Sequence, residues 1–304
     1  MRSLVDRNQA GILTYGITPP KQSYAPEKLS EVALRQTARI QKLPIDALVI
    51  YDIQDESLRN NTERPFPYSP SIDPARYAFE SLAGVDVPKV VYRSVASMTE
   101  AELSDSLQRV EACNGLAVLV GAASRLQTAP ITLNAAYALA RDSFPRLQIG
   151  GVLIAERHEQ RHTEHERALQ KMDAGCRYFI SQGVYSVVAS KNLLSDLYYL
   201  CQEKERAMPP VLATLSPCGS LRTLEFMRWL GISVPRWLEN DLRHSRDILQ
   251  TSIDVCTAVL EDLHDFAAAR GIPLGCNVES VSLSKVEIDA SVELVARAAR
   301  CLGR

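Results

Sequence analysis

The chain has 304 residues, with 34 Lys+Arg against 36 Asp+Glu and a formal net charge of −2. Phosphate binding leaves a basic excess, so this balance argues against a nucleic-acid-binding surface. With 46% hydrophobic and 23% charged residues it is the composition of a folded protein, not a disordered one. Its apolar runs fall far short of the roughly 20 residues of a membrane span. The opening Met1-Arg2-Ser3-Leu4-Val5-Asp6-Arg7 lacks an apolar signal-peptide core, so a cytoplasmic location is expected. Cys113, Cys176, Cys201, Cys218, Cys256, Cys276 and Cys301 are odd in number, scattered and free of any Cys-x-x-Cys, which predicts reduced, mostly buried thiols.

Eight short apolar runs follow one another along the chain, at residues 11–15, 47–51, 89–92, 116–120, 149–155, 178–181, 210–215 and 272–276. They are rich in Val, Ile, Leu and Tyr and do not alternate strictly, as strands buried on both faces read. Helical patterns lie between them. Thr99-Glu100-Ala101-Glu102 has the form of a capping box, ahead of Leu103, Leu107 and Val110 at helical spacing. Thr163-Glu164-His165-Glu166 has the same form ahead of Ala168, Leu169 and Met172, and Gly175 is placed to end that helix. Residues 193–201, 221–230 and 252–270 predict further helices, the last closed by Gly271. Eight strands, each followed by helix, predict a single (β/α)8 TIM barrel over residues 1–304. The competitor is a doubly wound open sheet, but no Gly-x-Gly-x-x-Gly follows the first strand.

In a barrel the chemistry sits where strands end. These ends carry Gly16 to Lys21; Asp52, Gln54, Asp55 and Glu56; Arg93 and Ser94; Gly121 to Ser124; Glu156 to His158; Gln182; Ser216 to Cys218; and Asn277 with Glu279. The stretch 52–74 is long enough to be a binding loop. His158-Glu159-Gln160-Arg161-His162 matches His-Glu-x-x-His, with His165 as a possible third zinc ligand; the favoured reading is a polar helix start without metal. Any of Asp52, Asp55 and Glu56 could act as a general acid if burial raised its pKa; each reads equally well as a solvated loop carboxylate. Cys218 reads as a packed thiol before a nucleophile, because no partner His is identifiable. Asn60-Asn61-Thr62 is a glycosylation triplet without consequence in the cytosol. Gln182 can both donate and accept, which suits the edge of a heterocycle.

The segment Lys171-Met172-Asp173-Ala174-Gly175-Cys176 through Ser181-Gln182 resembles a motif of methylenetetrahydrofolate reductases. Pro19-Pro20-Lys21, Tyr51 with residues 57–62, Glu156-Arg157-His158 and Ile232-Ser233-Val234-Pro235-Arg236-Trp237 agree with that family in order and spacing. The resemblance spans nearly the whole chain and implies a TIM barrel. It also implies FAD held by Tyr51, His158, Glu164 and Lys171, with NAD(P)H as electron donor. The implied activity is flavin-dependent interconversion of 5,10-methylene- and 5-methyltetrahydrofolate in one-carbon metabolism and methionine biosynthesis, with a homo-oligomer among the expected partners. Gln182 would orient the pterin of a reduced folate and share the catalytic role. Several positions depart from the family. Its acid, three residues before Pro-Pro, is Gly16; its pterin-binding Asp is Ala122; the third-strand His is Tyr92; the Thr near the flavin is Ile50; an Arg near the FAD phosphates is Gln170; and the folate-tail Asn-Arg reads Val281-Ser282. Two expectations follow. Either a second-loop carboxylate, foremost Glu56, replaces the missing acid, or the chain is a diverged barrel that binds a pterin or another small molecule without flavin redox chemistry, as a non-redox enzyme or a partner subunit.

Overall fold

The computed structural model describes residues 1–56, 62–122 and 129–304. Loop residues 57–61 and 123–124, noted above, lie outside them. All eight strands are present: β1 Leu13–Ile17, β2 Ala47–Ile50, β3 Lys89–Ser94, β4 Leu116–Val120, β5 Gln148–Leu153, β6 Cys176–Gly183, β7 Val211–Leu215 and β8 Leu274–Val278. Each pairs in parallel with the next, and β8 returns to β1 through Tyr15 opposite Val278, closing a (β/α)8 barrel. The helices are α1 Arg2–Asp6, α2 Pro26–Ile40, α3 Pro74–Arg76, α4 Glu100–Ala112, α5 Leu133–Ser143, α6 Ala155–Arg161, α7 Glu164–Asp173, α8 Val187–Glu203, α9 Leu221–Trp229, α10 Arg236–His244, α11 Ile248–Ala268 and α12 Lys285–Cys301. None of those described is long and apolar enough to cross a membrane.

Alternation along the strands divides the core into two layers. Leu48 and Ile50 of β2, Val91 of β3 and Phe179 of β6 pack outward against the helices. Ala47, Val49, Val90, Leu116, Val118, Tyr178, Ile180 and Leu212 fill the barrel interior. Met1, Leu4 and Val5 join that inner cluster, so α1 stoppers the N-terminal end of the barrel. The Tyr178 ring fills the middle and donates its hydroxyl to the Ala117 carbonyl at 3.1 Å.

The box at Thr99 forms as expected: Glu102 accepts from the Thr99 amide at 2.8 Å, and Thr99 accepts from the Glu102 amide. The one at Thr163 does not. Its ψ of 3° is not extended and the hydroxyl makes no cap; at the same helix start Glu164 binds two arginines. Cys218 is fully buried with its thiol pushed up to about 12 by burial, as a packed thiol should be. All seven cysteines are unpaired.

Gly275 lies where β8 meets the barrel base, and a Cβ there would run into the Ile12 carbonyl and the Leu212 side chain. Backbone cannot step aside as a flexible side chain can. Gly275→Ala is therefore expected to lower stability by about 1–3 kcal/mol, read as a fall in the urea midpoint at unchanged slope.

Candidate functional site

The upper layers of the barrel interior are polar. Thr14 on β1, Thr214 on β7 and Asn277 on β8 are all buried, and they meet through hydrogen bonds. Thr14 Oγ1 donates to Asn277 Oδ1 at 2.8 Å, which orients the amide. Asn277 Nδ2 then donates to the Tyr51 hydroxyl at 2.8 Å and lies 3.3 Å from Thr214 Oγ1. The Tyr51 hydroxyl in turn stands near the carboxyl of Glu279 and acts on its titration. The Tyr51 and Tyr92 rings meet edge to face, with centroids 4.7 Å apart. Glu279 is thus a carboxyl at the rim of an aromatic-lined mouth. The residue is partly exposed at that rim, yet desolvation of its carboxyl pushes the pKa up to about 7, opposed by the Tyr51 hydroxyl. Such a group can give or take a proton near neutrality.

Gly16 explains the arrangement. A Cβ at this position would lie 2.7 Å from Tyr51 Cε2 and 3.2 Å from Glu279 Cβ. The space that a side chain on β1 would use is taken by Tyr51 and Glu279, brought in from β2 and β8. β8 ends at Val278, two residues beyond the run predicted for it, so Asn277 faces inward and Glu279 stands at the strand end.

The predicted carboxylates after β2 serve different ends. Asp52 accepts from the Ser94 amide at 2.9 Å and from Gln54 Nε2 at 2.6 Å, and lies 3.8 Å from the buried Arg93. Burial raises its pKa, opposed by those bonds. Arg93 also binds Asp73 and Ser106, so this cluster ties β2, β3 and the long loop together. Asp55 and Glu56 act electrostatically on Arg64, whose guanidinium stands over the rings of Tyr68, Phe226 and Trp229. On either side of Arg64 the loop is strapped to α9: Trp229 Nε1 donates to the Thr62 carbonyl at 3.0 Å and Arg222 to that of Pro65. The Pro19-Pro20-Lys21 turn is joined to it where Ile72 donates to the Pro20 carbonyl and Lys21 pairs with Ser71.

Gln182 sits in an irregularity of β6, where the register with β7 slips between Ile180 and Gly183. Such a bulge re-aims a side chain. Its Nε2 donates to the Leu230 carbonyl at 2.8 Å, fixing the amide plane. Glu156, raised by burial, accepts from the Ser233 amide at 3.0 Å. Together these two hold the 230–235 segment, which leads to an exposed Trp237 on α10, over the ends of β5 and β6.

The residues that the resemblance assigns to FAD are engaged within the protein. His158, 1% exposed, bonds through Nε2 to Asp196 at 2.9 Å. Glu164, 0% exposed, binds Arg157 and Arg167. Lys171 donates to the Val152 carbonyl at 2.6 Å and stands over the Phe179 ring. Tyr51 belongs to the relay described above. This set does not fit a flavin dinucleotide without rearrangement, since a diphosphate needs presented cations and amides. The two histidines of the His-Glu-x-x-His stretch meet edge to face, ring centroids 5.8 Å apart, but not on one helical face: α6 ends at Arg161, and His162 takes a left-handed conformation (φ 54°).

Among solved structures, the chain is similar to an uncharacterized protein from Clostridium thermocellum that binds two copies of 5-methyl-5,6,7,8-tetrahydrofolic acid. Identity is 42% over 98% of each chain, with a TM-score of 0.87. Tryptophan synthase from M. tuberculosis, at 11% identity over 99% of this chain and 95% of that chain with a TM-score of 0.54, shares the fold. So does a GH113 beta-1,4-mannanase, at 13% identity over 95% of this chain and 97% of that chain with a TM-score of 0.52. No protein-family model and no curated protein matches.

The raised pKa of Glu279 has a thermodynamic sign. In the unfolded chain its carboxyl titrates near the usual 4.5, in the folded protein at about 7. Its contribution to stability is full below 4.5 and is lost as pH rises through 7, a loss on the order of 2–3 kcal/mol. Urea melts at a series of pH values should show this decline in the native protein. In Glu279→Gln it should be largely absent.

Proposed function

Since the chain belongs to the family of the Clostridium thermocellum protein, we propose that it binds a reduced folate with the pterin ring in the barrel mouth. The observation that carries this reading is the Thr14–Asn277–Tyr51–Glu279 relay, which ends on a carboxyl poised near neutrality beside two tyrosine rings. A reduced pterin offers a flat face to stack, an edge of donors and acceptors, and a ring nitrogen that gains or loses a proton. Tyr51 and Tyr92 supply apolar surface, Gln182 an oriented amide, and Glu279 the exchangeable proton.

The acid is assigned to Glu279 in preference to Glu56. Glu279 extends from the strand next to β1, beside the space at Gly16, whereas Glu56 acts on the Arg64 strap. A proton held over a pterin nitrogen makes a substituent on that nitrogen easier to pass to a nucleophile, a step that needs no flavin. The flavin-dependent reductase implied by the resemblance would use the same folate pocket. The inward engagement of His158, Glu164 and Lys171 favours the reading without FAD.

Calorimetric titration with 5-methyltetrahydrofolate tests the proposal. The native chain should bind saturably. Glu279→Gln should weaken binding by about tenfold, the value of one hydrogen bond to an ionisable group, and should remove any pH dependence centred near 7. Glu56→Gln should bind like the native chain. Absence of binding overturns the proposal, and a flavin absorption spectrum in the purified protein, or flavin uptake on addition, returns the assignment to the reductase.

A further inference from the structure

On the outer flank of the barrel, α6, α7 and α8 each bring one metal-ligating side chain to a common point: His158, His165 and Asp196. We propose that these three residues form a site for one divalent transition-metal ion of the zinc class. One nitrogen of each ring and one carboxylate oxygen lie within 4.8 Å of one another. His158 Nε2 and Asp196 Oδ2 are already 2.9 Å apart. Ligands at about 2.0–2.2 Å from a zinc ion lie roughly 3–3.5 Å apart, so only the third ligand must close in. His165 is partly exposed and Asp196 exposed, so both can turn without disturbing the core.

A second observation points to a ligand. The Nδ1 atoms of His158 and His165 are buried without a hydrogen-bond partner; with His158 Nε2 facing Asp196, one ion cannot also take the Nδ1 of that ring, so the unspent nitrogen open to it is that of His165. An orphaned buried nitrogen costs about 1–3 kcal/mol, so the cluster carries more coordinating capacity than the protein uses. The two rings meet edge to face with centroids 5.2 Å apart. The nearby cations do not oppose a metal strongly, because Arg157 and Arg167 are both paired with Glu164.

The donor chemistry selects the metal. Two imidazoles and one carboxylate suit zinc, iron, cobalt or nickel, whereas calcium and magnesium prefer all-oxygen sets. The site differs from the zinc-protease pattern that the sequence suggested. His162 is outside the cluster, its place taken by Asp196, 38 residues further along from His158. Bound metal would pin three helices that otherwise meet through packing and ion pairs, and would do so independently of the barrel mouth.

The test uses the full chain without an affinity tag, stripped with chelator and then dialysed against limiting Zn2+. About one equivalent should be retained, and the melting temperature should rise. Co2+ in its place should give visible absorption bands of a nitrogen- and oxygen-ligated ion. His165→Ala and Asp196→Ala, both at positions with solvent exposure, should fold normally, lose retention and lose the Zn2+-induced rise. Failure of the native chain to retain stoichiometric metal overturns the proposal, as does equal retention by both variants. Titration with 5-methyltetrahydrofolate should be unchanged in both variants, so the metal and folate assignments stand or fall separately.

Discussion

The structure turns on a steric vacancy on β1. Because Gly16 carries no side chain, the ring of Tyr51 and the stem of Glu279 can come together above the barrel axis, where a single Cβ would collide with both. Everything polar in the mouth is arranged around that meeting. Thr14 holds the Asn277 amide in one orientation, and Asn277 donates to the Tyr51 hydroxyl, which leaves the phenol proton free to face the Glu279 side. The pKa of the carboxyl is set by the same enclosure. In the proposed folate-binding reading, the carboxyl at the end of β8 takes the place of the acid that the resemblance expects at the end of β1, within the same barrel.

The barrel was legible in the sequence because its strands are buried on both faces and read as apolar runs. Each of the eight runs corresponds to a strand. Their ends were less legible, and the ends decide the site. β8 continues through Asn277 and Val278, which look like the start of a loop, because a polar side chain inside a barrel is invisible to hydrophobic patterning. Glu279 could have been singled out by counting in twos from Gly275, since alternation puts 275, 277 and 279 on one face. Glu56 drew attention instead because carboxylates in a long loop look available. Here the loop is tied down by Arg93, Arg64 and α9, contacts up to 167 residues apart and unreadable from local spacing.

On the flank around α6 and α7, the residues that the resemblance assigns to FAD are turned toward protein: His158 to Asp196, Glu164 to two arginines and Lys171 to a strand carbonyl. Residue identity along a motif carries less information than what the side chain touches. The same helices hold the imidazole cluster, whose third member, Asp196, no motif would have linked to His158.

The stopper formed by α1 has a bearing on traffic. With Met1, Leu4 and Val5 seated in the base and Tyr178 filling the middle, the interior is a blind well. A molecule that reaches Glu279 therefore comes and goes at the C-terminal end of the strands, where Gln182 also holds the 230–235 segment. Two reactants cannot pass through such a molecule in file. Whatever enters second must approach over the shoulder of the first, so the outward-facing part of the first occupant becomes part of the second one's berth.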